Sequence, residues 1–118
     1  MLFRSAGLTE QLPRTAGLLS HGEKRQLEVA MCLATQPQVL LLDEPMAGMG
    51  AEESDRMLML LDQLKRDHAI LLVEHDMDAV FRIADEITVM VNGSVIASGT
   101  PDAVRNNDEV RMAYLGHD

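Results

Sequence analysis

A chain of 118 residues, 47% hydrophobic and 25% charged, supplies one hydrophobic core, so it is one globular domain or part of one. Its formal net charge of −9 excludes a general nucleic-acid binder, which needs a basic face against phosphates, but not a nucleotide held by local backbone dipoles. The single cysteine excludes a disulfide framework, no apolar run is long enough to span a bilayer, and Met1 to Ser5 lack a signal-peptide pattern, so a cytosolic protein is expected.

Residues 1 to about 18 show no period and include Pro13, and they read as an irregular lead-in. Ser20 precedes Glu23 by three, a capping-box pattern, and predicts a helix from about His21 to Thr35. Leu27, Ala30, Met31 and Ala34 form its expected apolar stripe, with Cys32 in the same pattern and Lys24, Arg25 and Gln26 on the polar face. Pro37 turns the chain into Val39–Leu42, four apolar residues that read as a strand buried on both faces. Asp43, Glu44 and Pro45 end it. A loop with two glycines, Met46 to Gly50, leads to a second helix with Glu52, Glu53 and Asp55 near its start. Met57, Leu58, Leu60, Leu61 and Leu64 are its expected buried face.

Ala69–Val73 is a second all-apolar strand, followed by Glu74, His75 and Asp76. A third helix over about Met77–Ala84 returns to a strand, Ile87–Val91. Asn92-Gly93 signals a tight hairpin into Ser94–Ser98. Thr100-Pro101 predicts a capped short helix to Arg105, and another is expected over about Asp108–Tyr114. The order of elements is that of an α/β domain with a partly parallel sheet.

Three ordered stretches and the loop after the first strand suggest chemistry. A serine hydroxyl and a glycine amide at the helix start, Ser20 and Gly22, make an anion site, although the same residues also serve as a plain cap. Asp43 and Glu44, delivered at the carboxyl end of a buried strand, suit a hydrated Mg²⁺ and an oriented water. His75 lies just past the strand expected beside that of Asp43.

Leu19-Ser20-His21-Gly22-Glu23, Leu40–Glu44 and Glu74-His75-Asp76 closely resemble, in order, the signature motif, Walker B strand and switch-histidine segment of ABC transporter ATP-binding subunits. The resemblance covers about residues 8 to 116, the C-terminal half of such a domain, with 19–35 as the signature helix and 38–118 running from Walker B to the end. Wording around Arg25–Ala30 and Ala47–Met49 is most similar to importers of branched-chain amino acids, or of urea and short amides.

The resemblance implies that Asp43 holds Mg²⁺ through water, that Glu44 is the general base for attack on the γ-phosphate of ATP, and that His75 contacts that phosphate. Ser20, His21, Gly22 and Glu23 would form the surface that meets ATP bound on a second, head-to-tail ATPase subunit. A membrane permease is the implied further partner, placing the subunit at the inner face of the cell membrane.

His21 and Glu23 stand where the family usually has Gly and Gln, and Gly50 where many members have an aspartate. No Gly-x-x-x-x-Gly-Lys-Ser/Thr occurs; Gly17 to Gly22 has the glycine spacing, but Glu23 takes the lysine position. The fold class expected is therefore a partial ABC-type α/β domain, a mostly parallel sheet lacking the phosphate-loop strand, with a C-terminal β-hairpin. Such a chain is expected to be inactive alone. In the family's sheet the absent strand lies between Ala69–Val73 and Ile87–Val91, so exposed strand edges are expected, and with them either self-association or a rearrangement that closes the gap. Two other readings are a non-catalytic module that pairs with a complete ABC ATPase, and a soluble ABC ATPase of DNA repair or translation. The acidic charge and the lack of heptads or a basic arm count against the last.

Overall fold

The structure, a computed structural model, describes residues 19–115. The expected lead-in over 1–18 lies outside the described residues. The chain divides into two units, residues 1–74 and 75–118.

The first unit holds α1 (His21–Leu33), β1 (Val39–Asp43), α2 (Ala51–Leu64) and β2 (Ala69–Val73). Its strands pair in parallel, Val39 opposite Ala69 through Asp43 opposite Val73. The α2 stripe Met57, Leu58, Leu60, Leu61 and Leu64 is buried as its spacing predicts. In α1 the buried residues are Gly22, Val29, Ala30 and Leu33, whereas Met31 is 65% exposed and Cys32 is also exposed. The stripe is thus rotated by one residue from the expected one. A period of 3.6 admits neighbouring frames, and the small Gly22 selects the frame that brings its side of α1 close to α2.

Ahead of the strands, His68 Nδ1 and the Pro37 carbonyl lie 2.8 Å apart, and the Ala69 amide donates to the Gln38 carbonyl at 3.0 Å. The two strand entries are tied together there, which sets the register.

The β1–β2 sheet departs from expectation on one face. Leu40 is buried and Leu42, Ile70 and Leu72 are half-buried, but Val39, Leu41, Leu71 and Val73 are 54–72% exposed. Burial on both faces requires a layer on each side, and the described residues cover one.

The second unit holds α3 (Met77–Ile83), β3 (Ile87–Val91), β4 (Ser94–Gly99), α4 (Pro101–Arg105) and α5 (Asp108–Val110). Asn92 and Gly93, at φ 49° and 80°, turn β3 into its antiparallel partner β4, with a bulge between Val89 and Met90. Asp76, Thr100 and Asn107 each cap a helix by accepting the amide three residues on. Ile87, Val89, Val104 and Val110 form the core, with Met77, Val80, Phe81, Ala84, Ile96 and Ala97 packed around it. The guanidinium of Arg105 stacks 4.6 Å from the centre of the Phe81 ring.

The last expected helix is a single α-turn that widens into a π-helical turn over Arg111–Leu115. There the Tyr114 hydroxyl donates to the Met90 carbonyl at 2.6 Å.

Strands β2 and β3 are each paired on one side only among the described residues. The fold is therefore a parallel pair and a hairpin in an α/β chain, as the sequence suggested. No helix among the described residues is long and apolar enough to cross a membrane.

Candidate functional site

Ser20 opens α1 with a complete capping box. Its Oγ accepts from the Glu23 amide at 3.2 Å, and Glu23 Oε1 accepts from the Ser20 amide at 2.9 Å. Ser20 is exposed, and the 13-residue helix behind it directs the positive end of its dipole there. Gly22 is buried. A Cβ at that position would lie 2.7 Å from Cδ of Glu53, so glycine makes room for the Glu53 carboxylate against the helix start. That placement suits the dipole.

Asp43 ends β1 and is exposed; Glu44 follows, half-buried. Glu44 sits at φ 46°, in the left-handed region that disfavours side chains by roughly 1–2 kcal/mol. Three hydrogen bonds over-determine it. Its amide donates to Val73 O at 2.8 Å, and its carbonyl accepts from the Ala47 amide at 3.1 Å and from Arg25 Nη2 at 3.2 Å. A non-glycine residue held this way by its surroundings is a common mark of a functional position.

Arg25 also pairs with Glu28 through Nη1 at 3.3 Å, while its buried Nε has no hydrogen-bond partner. It lines a cleft of about 200 Å³ with Glu28, Val29, Cys32, Leu41, Leu42, Asp43 and Pro45. The sequence placed Arg25 only on a polar face and Glu53 only near the start of the second helix. The spacing of Arg25, four residues after His21, was the available signal.

His21 turns toward the loop after Glu44, where its Nε2 lies 2.8 Å from the Ala47 carbonyl. A carbonyl only accepts, so Nε2 carries the hydrogen. Gly48, at φ 77°, lies beneath the ring; a Cβ there would approach Nε2 to 3.1 Å.

The expected pairing of the Asp43 strand with the strand before His75 is present. His75 itself opens the second unit, exposed, immediately ahead of Asp76, the cap of α3. Among the described residues, no three His, Cys, Asp or Glu side chains group to hold a metal. A lone exposed carboxylate such as Asp43 fits a hydrated Mg²⁺ whose other ligands are water and phosphate, and does not fit a metal caged by protein.

Residues 2–47 match the family model described as ABC transporter, and residues 94–118 that described as branched-chain amino acid ATP-binding cassette transporter. The high-affinity branched-chain amino acid transport ATP-binding protein BraF of Pseudomonas aeruginosa is 45% identical over 111 residues, covering 92% of this chain and 44% of BraF. The corresponding LivG protein of Escherichia coli is 46% identical over 112 residues, covering 93% of this chain and 44% of LivG. The chain belongs to the ABC transporter ATP-binding family.

Solved structures agree. An ATP-binding cassette of an ABC transporter in its ADP conformation superposes with a TM-score of 0.85 at 29% identity, over 98% of this chain and 48% of that one. A nucleotide-free cassette gives 0.84 at 28% identity, over the same shares. The chain spans under half the length of the curated relatives it matches. The capped helix start and the strand-end carboxylates lie on the elements that the sequence suggested.

Proposed function

We propose that this chain carries the signature and Walker B portion of an ATP-hydrolysing importer subunit for branched-chain amino acids or related solutes such as urea and short amides. The observation that supports it most is Glu44, held left-handed by Arg25, Ala47 and Val73 beside an exposed Asp43 at the end of a parallel strand. The names of BraF and LivG support the choice of solute class.

In this reading Asp43 holds Mg²⁺ through water, and the ion supplies charge neutralisation at the phosphates. Glu44 accepts the proton of the attacking water, and His75 contacts the γ-phosphate and fixes that water's position. Ser20, His21, Gly22 and Glu23 face ATP on a second, head-to-tail subunit, with Ser20 and the first-turn amides of α1 as donors to phosphate oxygens. The assembly lies on the cytoplasmic side of the membrane against a permease.

The 118 residues contain no phosphate-loop lysine, so the chain by itself neither binds ATP tightly nor hydrolyses it. The bare β1–β2 face and the one-sided pairing of β2 and β3 favour self-association. Titration calorimetry with Mg-ATP, run beside light scattering, tests both statements. Silence at millimolar ATP with an oligomeric mass is expected. Glu44-dependent hydrolysis by the purified chain would overturn the inactivity, and a monodisperse monomer the association.

The same bare face supports a second reading, a non-catalytic module that pairs with a complete ABC ATPase. Pull-down by a full-length relative, with and without ATP, separates the two.

A further inference from the structure

His21 and Arg25 lie four residues apart, on one face of α1. Each reaches a main-chain carbonyl of the turn after β1: His21 that of Ala47 at 2.8 Å, Arg25 that of Glu44 at 3.2 Å. Those two carbonyls belong to the ends of one turn, closed by the Ala47 amide on Glu44 O at 3.1 Å. One helix face therefore grips a single turn at both ends.

Two further features fit a built contact. Gly48 leaves room for the His21 ring, since a Cβ would stand 3.1 Å from Nε2 and 3.3 Å from Cδ2. Glu28 accepts from Nη1 of Arg25 at 3.3 Å, which fixes the guanidinium while Nη2 reaches Glu44.

The geometry points to His21 and Arg25 as positioning residues that couple the Ser20 start of α1 to the Glu44 turn, so that a change in the first turn of α1 is passed to the backbone of Glu44. The turn holds a disfavoured φ at Glu44, and its carbonyl direction depends on what that carbonyl bonds to. His21 is the residue next to Ser20, inside the capping box. Loosening the box shifts His21, and with it Ala47 and the far end of the Glu44 turn. Where Ser20 and Glu44 serve two different nucleotides, the clamp ties one ATP site to the other; that clause alone rests on the function proposed above.

Amide hydrogen exchange by NMR on the full chain tests the coupling without nucleotide, so its outcome is independent of the ATPase reading. The probes are the Ala47 and Met49 amides, which donate to Glu44 O and Met46 O. One net hydrogen bond corresponds to roughly a fivefold change in opening. His21→Ala and Arg25→Ala are each expected to speed exchange at both probes about fivefold, with the α2 amides of Leu58 and Leu61 unchanged. His21→Gln, which keeps a donor near the position of Nε2, is expected to restore protection.

The decisive step is a double-mutant cycle. Ser20→Ala is expected to speed exchange at Ala47 and Met49 in the native background and to add nothing in His21→Ala. Equal effects of Ser20→Ala in both backgrounds would overturn the coupling. So would unchanged probes in His21→Ala, or a rise in α2 exchange as large as that in the turn. Should His21→Ala fail to fold, the cycle is run in His21→Gln, where Ser20→Ala must again reach the probes, and in His21→Phe, which keeps the ring's bulk without a donor and where Ser20→Ala must add nothing.

Discussion

The two strand pairs of this chain solve burial in opposite ways. In the hairpin, Ile87 and Val89 are buried while Thr88 and Met90 are exposed, an alternation that matches a sheet with one covered face. Thr88 and Ser98 even share a hydroxyl contact of 3.0 Å on the open face. In the parallel pair, Val39 to Leu42 and Ala69 to Val73 are apolar at every position, yet Val39, Leu41, Leu71 and Val73 remain largely exposed. The hairpin unit completes itself through local devices: a tight turn, three side-chain caps and the core around Val104 and Val110. The parallel pair carries the side chains of a sheet with layers on both sides, and a parallel pair never closes by a short turn. Local sequence completes antiparallel structure; parallel structure depends on residues far away in the chain.

The largest effect that sharpens this contrast lies under the covered face. Leu61 is fully buried, and Leu61→Ala is expected to destabilise the first unit by about 2–5 kcal/mol in a denaturant titration. A loss near zero would mean that this unit has no packed core. Next is the hairpin turn. Gly93 sits at φ 80° with open space around its Cβ position, so Gly93→Ala costs only backbone strain, about 1–2 kcal/mol. A larger loss would show that the hairpin is less self-sufficient than its caps and core imply. Smallest in stability is Leu41→Ser with Leu71→Ser on the bare face. Their unfolding free energy is expected to change by less than about 0.5 kcal/mol, as for other exposed positions, while the mass by light scattering falls toward the monomer. An unchanged mass would place any association elsewhere.

Much of the fold was legible because its signals are local. Pro101 after Thr100, Asn92-Gly93 and the Ser20–Glu23 pair each encode a short-range hydrogen bond or backbone preference, and each appears where its residues predict. The α2 stripe was legible because five large apolar residues leave one frame. In α1 the apolar residues are smaller and two frames compete, so the packing of Gly22 near Glu53 decided between them, against the frame that the spacing of Met31 suggested. The last helix stands over the expected span, and only its widening to π-helical form at Arg111–Leu115 was not visible in the local pattern.

For the site, it was the resemblance of three ordered motifs that singled out Ser20, Asp43, Glu44 and His75; by itself a serine at a helix start is an ordinary cap, and carboxylates after an apolar run suggest only a place for a cation or a water. The holding contacts were not marked. Arg25 read as a polar-face residue and His21 as part of the surface toward ATP, yet they reach carbonyls nineteen and twenty-six positions away.

By itself, then, the sequence determined which segments become helix or strand, where they are capped and turned, and which polar residues stand at strand and helix ends. These follow from dihedral preference and from hydrogen bonds between near neighbours. Tertiary structure alone decided which face of β1 and β2 is covered, which frame of α1 is buried, and that Glu44 is held left-handed by an arginine on another element. Those outcomes depend on what each face and each carbonyl meets across the fold, and a side chain's distant partner is not written in its own stretch of chain.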